Sequence, residues 1–404
     1  MIRSRTFAKV TAADAIVRSA YQMGKTPLLP LYAASLGAGD AYLGFIVSIS
    51  TLTGMLTKPL FGVLSDRWGR RSWLIIGTAF FAFTPFAYHL VDTPGQLLII
   101  RLIHGIATAI YGPVTLAYVA EQAKSNRAER LAWFGTARNA GYIVGPMAAG
   151  WMLLTMDPVS VFTIVGILST LAFVPILMLP ETDSKREKLK IPFALAALRA
   201  LVSGGRTPAV WLAGSMESTM FLALYATKTF LPIYALSAGF NVAVVGIFFA
   251  VQAGAHILLN PVGGRLGDRH GYLATIPIGM VVLAISLPLI AIADSIVFLM
   301  ALAVLMGIAQ SIVFPSTVAL ISTQMEDRNL ATGMGLVGTM KNAGKVAGPA
   351  IAGVLITWIE YDMTFVIIGL ILFAGAAAIW RHSWTVNRRK RRSDVVPGHT
   401  GLYD

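Results

Sequence analysis

Apolar runs of eighteen residues or more recur along the whole chain, and they leave few folds open to it. They fall at roughly 12–36, 41–64, 73–91, 96–120, 131–154, 159–179, 209–236, 242–264, 273–292, 295–321, 330–357 and 362–380. A hydrocarbon core about 30 Å thick is crossed by about 20 helical residues. The runs therefore predict twelve transmembrane helices. Within lipid each backbone polar group must bond inside the protein, so helices are preferred to open sheets. Charge content agrees, since 13% of the 404 residues are charged and 56% are hydrophobic, against about 25% charged in a soluble domain.

The net charge of +13 suggests a nucleic-acid partner until its distribution is examined. One alternating set of connections, 37–40, 91–95, 155–159, 237–241, 293–295 and 358–362, has no Lys or Arg. Its charges are Asp40, Asp92, Asp157, Asp294, Glu360 and Asp362. The opposite side, with both termini, carries every cation that is not inside a span. This is the positive-inside pattern, so the basic charge is topological and both termini are expected in the cytoplasm, with the chain in the plasma (inner) membrane. No nucleic acid is expected as a partner. The chain has no cysteine, which excludes disulfides, thiolate catalysis and thiolate metal sites. Arg3, Arg5 and Lys9 precede an apolar helix without a small-residue cleavage site, which reads as a retained first span. No phosphate-cradling glycine loop follows a strand and no zinc-spaced His pair occurs, so neither an enzyme, a cofactor nor a metal is expected.

The chain repeats itself at half its length. Pro59, Gly62, Leu64, Asp66, Arg67 and Gly69 recur as Pro261, Gly264, Leu266, Asp268, Arg269 and Gly271. Asn139, Gly141, Gly145, Pro146 and Gly150 recur as Asn342, Gly344, Gly348, Pro349 and Gly353. Pro30 and Tyr32 recur as Pro232 and Tyr234, and Pro113 as Pro315. The expected architecture is all-α, with two pseudo-symmetric six-helix bundles at 1–180 and 209–380. A parallel six-plus-six repeat places a substrate site near midplane, between the halves. The linker at 181–208 is charged and then amphipathic, with Phe193, Ala197, Leu198 and Leu201 on one face. It predicts a short helix in the cytoplasmic interface. The tail at 381–404 carries Arg388–Arg392 and is expected to anchor beside anionic lipid, with disorder beyond.

Gly62-Val-Leu-Ser-Asp66-Arg67-Trp-Gly69-Arg70-Arg71, between spans 2 and 3, resembles the signature loop of the major facilitator superfamily. The repeat, span count and topology extend that resemblance over essentially the whole chain. It implies a secondary transporter in which this loop latches the cytoplasmic side shut. Asp66 is expected to accept from the N-terminal amides of span 11, and Glu121 to pair with Arg70 or Arg71. The second copy keeps Asp268 and Arg269 but has Tyr272 and Leu273 in place of the two arginines, which predicts a weaker latch. Gly135, Gly141, Gly145-Pro146 and Gly150 resemble the family's antiporter motif, although span 11 has the same pattern and simple helix packing explains it equally. Arg101-Leu-Ile-His104-Gly105 resembles the Arg-x-x-Gln-Gly motif of drug/proton antiporters, with His for Gln. Arg101, His104, Thr108, Tyr111 and Thr115 form one polar stripe, which faces protein or water rather than lipid.

Charge inside the spans says most about function. Eight cations lie there, Arg18, Lys25, Lys58, Arg101, Arg138, Lys228, Lys341 and Lys345, with only Asp14 and Glu217 as acids. Counting back from Gly37 and Gly239 places Lys25 and Lys228 about 17 Å in, close to midplane. Asp14 and Glu217 fall about 34 Å along, at the cytoplasmic mouth. Arg138 and Lys341, repeat equivalents, are expected at mid-depth, with Lys345 one turn further on. The middle then holds cations without a carboxylate. Either burial leaves some of the lysines neutral, or an anion from outside the chain balances them. The pseudo-symmetric lysines of spans 1 and 7 also resemble the anion site of organophosphate-type members of the family. The expected substrate site is Lys25, Lys228, Arg138, Lys341 and Lys345, with Tyr21, Tyr111 and Gln252. The expected proton-handling groups are Asp14, Glu217, Arg101, His104 and His256. The reading is alternating-access transport of an organic anion, a small molecule bearing carboxylate or phosphate, with H+ as a candidate coupling ion and a monomer in the bilayer. A proton-coupled drug exporter and a non-transporting receptor on the same fold remain open.

Overall fold

The computed structural model describes residues 2–122, 127–181, 207–325 and 327–395, all of it helix, turn and connecting loop. The first half comprises α1 Ile2–Lys25, α2 Leu28–Ser35, α3 Asp40–Trp68 and α4 Arg70–Phe83, which runs on as a 3-10 turn Thr84–Leu90. It continues with α5 Pro94–Gln122, α6 Arg127–Met152, α7 Pro158–Thr170 and α8 Phe173–Leu177. The second half comprises α9 Pro208–Ser237, α10 Val242–His270, α11 Tyr272–Ile290, α12 Ile296–Gln324 and α13 Asp327–Val395.

Each of the twelve expected runs is largely helical, with 12–36 divided between α1 and α2 and 159–179 between α7 and α8. Among the described residues, nine helices are long and apolar enough to cross a membrane on length and composition. The remaining runs fall short for readable reasons. The first, on α1, holds Asp14, Arg18 and Lys25, and α6 holds Arg138. The last two are merged in a stretch of 50 residues, 332–381, about 75 Å of helix and too long for one crossing. The backbone breaks within it at Glu360, with φ 66° and ψ 174°. The first helix starts earlier than expected, at Ile2, and is interrupted after Lys25. The interfacial helix expected around 193–201 lies outside the described residues. The tail begins as helix, with α13 continuing to Val395.

Two ends can be distinguished by charge, a basic end with the Arg67–Arg71 turn and an acidic end with Asp40, Asp157 and Asp362. At the basic end Gly69 and Gly271, repeat equivalents, join successive helices at φ 87° and 88°, a region that L side chains rarely adopt. At the acidic end the halves meet through backbone-to-backbone contacts that only glycine allows. A methyl group on Gly44 of α3 would overlap the Pro349 carbonyl of α13. One on Gly246 of α10 would stand 2.5 Å from the Pro146 carbonyl of α6. Gly353 and Gly150 close the same two crossings against Asp40 and Val242. The four contacts are two repeat-related pairs, α3 on α13 and α6 on α10. Small residues give close van der Waals packing where lipid supplies no hydrophobic drive between helices. Two hydrogen bonds reinforce the seam, Ser48 Oγ to the Val346 carbonyl at 2.7 Å and Tyr361 Oη to Asp40 Oδ1 at 2.8 Å. Towards the basic end, the repeat-equivalent Gly135 and Gly338 face open space.

This seam predicts a directional effect. Gly44→Ala or Gly246→Ala should hold the acidic end apart, and Tyr361→Phe should weaken it by about 0.5–1.5 kcal/mol. Because the chain has no cysteine, spin labels on Tyr42→Cys and Ile351→Cys report the distance without background. It should lengthen in each variant, most in the two glycine variants. Unchanged distance distributions would refute the assignment.

Candidate functional site

The site is set by how α6 lies on α1. A Cβ on Gly141 would meet the Ser19 nitrogen at 2.9 Å, and one on Gly145 the Met23 nitrogen at 2.7 Å. The two glycines fix the register, so Arg138, one turn before Gly141, comes opposite Asp14. Its guanidinium grips both carboxylate oxygens at 2.9 Å, Nε to Oδ2 and Nη2 to Oδ1. Nη2 also donates to Thr115 Oγ1 of α5 at 3.1 Å, and Arg18 approaches Asp14 from the next turn at 3.8 Å. In the second half Gly344 and Gly348 pack on Ser218 and Leu222 of α9 in the same manner. Lys341 consequently stands 3.6 Å from Glu217, whose Oε1 accepts from Thr317 Oγ1 at 2.7 Å. Acid, base and threonine thus recur at equivalent positions in both halves.

These pairs correct one expectation. Arg138 and Lys341 are not cations without a carboxylate, because Asp14 and Glu217 stand at ion-pair distance. Both acids are buried, at 0% and 3% exposure, and glycine packing between helices brings each base to its acid. The first pair is a two-pronged fork, and the second a single longer contact with the Lys341 side chain 34% exposed.

Three central cations remain without a carboxylate at ion-pair distance among the described residues. Lys25, Lys228 and Lys345 surround one ring, with their Nζ atoms 4.9, 5.5 and 5.5 Å from the centroid of Tyr225. Lys25 also lies over Tyr21, Lys228 over Tyr142, and Lys345 over Phe221. Lys341 shares Phe221 at 4.7 Å, linking the paired layer to this one. Such contacts attract a cation but leave its charge in place. Tyr225 was missed in the sequence. The signal for it was the repeat, since it precedes Lys228 much as Tyr21 precedes Lys25. Phe221, Phe314 and Tyr142 had no such signal.

The other expected residues are not among the cations around Tyr225, although His104 borders the cluster through Tyr21 and His256 through Phe314. Tyr111 is buried in the first half's own core, edge-on to Phe81. Gln252 is buried where α10 packs on Gly307 of α12. Arg101 is 1% exposed and donates to Ser50 of α3. His104 lies 5.2 Å from the Tyr21 ring, and neither of its nitrogens has a hydrogen-bond partner. His256 is edge-on to Phe314, which stacks on Phe221 at 4.7 Å. Lys58 is half-buried on α3.

At the basic end Arg70 bonds Glu121 at 2.9 Å and Asp66 at 3.0 Å. Arg71 pairs with Glu181 at 3.4 Å and donates to the Leu177 carbonyl. The Asp66 side chain is 62% exposed, and its described partner is Arg70 rather than the expected amides of α13. In the second copy Tyr272 stands where Arg70 does and donates to Asp268 at 2.8 Å.

A family model described as Major Facilitator Superfamily matches residues 16–255 and 214–400. A multi-drug resistance efflux pump PmrA homolog of Lactococcus lactis is 26% identical over 375 residues, 88% of each chain. The quinolone resistance protein NorA of Staphylococcus aureus is 26% identical over 346 residues, 81% of this chain and 84% of that one. Among solved structures, the nucleoside transporter NupG superposes with a TM-score of 0.81 at 15% identity, covering 93% of this chain and 98% of its own. This last is a likeness of fold.

The two ion pairs should differ in stability. Asp14→Ala strands the Arg138 fork, and breaking a buried pair from one side costs about 3–5 kcal/mol. Asp14→Ala with Arg138→Ala should recover part of that loss, a non-additivity expected of direct partners. Glu217→Gln should cost less, because Lys341 reaches solvent. Thermal unfolding in detergent checks the order, and equal losses for Asp14→Ala and Glu217→Gln would contradict it.

Proposed function

The chain belongs to the major facilitator superfamily and is a multi-pass transporter of the plasma membrane, and from that premise we propose that it moves an organic anion by secondary active transport. One observation carries the reading: Lys25, Lys228 and Lys345 converge on Tyr225 with aromatic rings, not carboxylates, beside them. A charge inside a membrane protein is costly without a partner, and the internal acids already have theirs in Arg138 and Lys341. A substrate anion supplies the missing partner. Lys25 comes from one half and the other two lysines from the second, so a ligand held there is gripped from both.

The transport cycle follows from the seam. With the acidic end closed by the glycine crossings, the lysine site opens towards the basic end. Rocking the halves apart at the acidic end reverses that access. The positive-inside rule assigns the basic end and both termini to the cytoplasm. Asp14 and Glu217 are the proton-handling groups, since protonating either one releases its basic partner. The Asp66–Arg71 turn latches the cytoplasmic side when it closes, and its exposed carboxylate fits the released form. The transporter works as a monomer.

A second reading is proton-coupled drug efflux; the PmrA homolog is named as a multi-drug resistance efflux pump and NorA as a quinolone resistance protein. The buried carboxylates and the unbonded His104 favour it. Purified protein in liposomes separates the two. Carboxylate counterflow is expected, and ethidium uptake driven by a proton gradient without carboxylate flux would establish efflux instead. Binding with no flux of either would indicate a receptor.

Lys25→Gln and Lys228→Gln should each weaken an anionic substrate at least about tenfold while leaving neutral ligands unchanged, because each removes one charge contact in a low-dielectric cavity. The double variant should be non-additive if both lysines hold one ligand. Separately, single cysteines at Asp66 and Asp92 report orientation. A membrane-impermeant thiol reagent added outside should label Asp92→Cys, and labelling only Asp66→Cys would invert the topology.

A further inference from the structure

Charge accounting around the Tyr225 ring, which leaves Arg18, Lys58 and Arg101 aside, bears on the valence of the ligand. Asp14 and Glu217 are engaged by Arg138 and Lys341. Their repeat-equivalent threonines, Thr115 and Thr317, complete both groups with hydrogen bonds. Neither carboxylate is left for the lysine layer. Lys25, Lys228 and Lys345 each lie within 5.5 Å of one ring centroid, so no two ammoniums are more than about 11 Å apart, a range over which like charges in a partly dry cavity repel strongly. Aromatic faces attract a cation without neutralising it.

A monoanion would compensate one ammonium and leave two repelling each other. A dianion compensates two, and a trianion all three. The lysines are distributed around Tyr225 rather than along one helix. Lys25 enters from α1, Lys228 from α9 and Lys345 from α13. A ligand that meets them all needs negative groups spread over its own frame.

Resting on the anion reading of the central site, we propose that the substrate is a compact polycarboxylate, with one carboxylate held by Lys25 from the first half and the others by Lys228 and Lys345 from the second. Lys345 is then the residue that sets valence. It is the third charge, and it stands on α13 one turn from Lys341, the partner of Glu217. The ligand bridges the halves, so its binding energy favours the state in which they approach.

The test uses a series on one aliphatic frame, propionate, succinate and propane-1,2,3-tricarboxylate, with inorganic phosphate as a fourth probe. Binding to the purified full chain is read by thermal shift and titration at fixed ionic strength, because screening would otherwise mask valence. Affinity should rise at least about tenfold with each added carboxylate, in line with one further charge-assisted contact. Lys345→Gln should abolish the step from two carboxylates to three and spare propionate, and Lys345→Arg should keep the step. Propionate binding as tightly as the tricarboxylate would overturn the valence assignment while sparing the anion reading. Phosphate binding more tightly than the tricarboxylate would overturn the polycarboxylate class. If no probe binds and ethidium does, the anion reading itself fails. A Lys345→Gln protein that still distinguishes succinate from the tricarboxylate removes Lys345 from its role.

Discussion

A charge in the middle of a bilayer must be answered by another charge or by water, and this requirement organises the whole interior. The chain meets it twice with the same device. A carboxylate on the first helix of each half faces a base on the fifth, and a threonine from the fourth completes the set, as Asp14–Arg138–Thr115 and Glu217–Lys341–Thr317. The register that brings each acid to its base is made by glycine, at Gly141 and Gly145 on one side and Gly344 and Gly348 on the other. Backbone packing is therefore the precondition for the electrostatics. A single extra methyl at the crossing would separate the helices and leave the ions unpaired.

The same motif has a second use further along. Gly150 and Gly353 touch the opposite half instead of their own. One helix thus holds its bundle together with its first glycines and docks on the other bundle with its last. The sequence pattern alone suggests either helix packing or an exporter signature. The structure divides it into an intra-half part that sets the ion pair and an inter-half part that closes the acidic end. Because both parts lie on α6 and again on α13, movement of the seam is mechanically joined to the level of Arg138 and Lys341.

Much of the fold was legible in the sequence because it rests on properties that survive one-dimensional reading: run length, loop charge and the half-length repeat. The spans on α3 and α9 and the basic Asp66 turn follow from those, and of the two partners expected for Glu121, Arg70 or Arg71, it meets Arg70. The site was legible only in part. Lys25, Lys228 and Lys345 are conspicuous as cations in apolar surroundings, but their convergence on Tyr225 depends on which face each helix turns inward. Counting along single helices also gave no sign that Arg138 meets Asp14, because that pairing is set by the packing of α6 on α1. Tyr111 and Gln252 share the composition of cavity residues yet pack inside their own halves. A polar stripe does not reveal whether it faces a path or a core.

The exchange of Arg70 for Tyr272 leaves the two signature turns unequal in a further respect. Arg70 ties Asp66 and Glu121 by ionic contacts at an exposed surface, where dissolved ions weaken attraction over about 8 Å at physiological strength. Tyr272 ties Asp268 through a hydroxyl, a bond with only one charged member. The ionic composition of the solution at the basic end therefore acts unevenly on the molecule, loosening the turn of the first half while leaving that of the second nearly as it was.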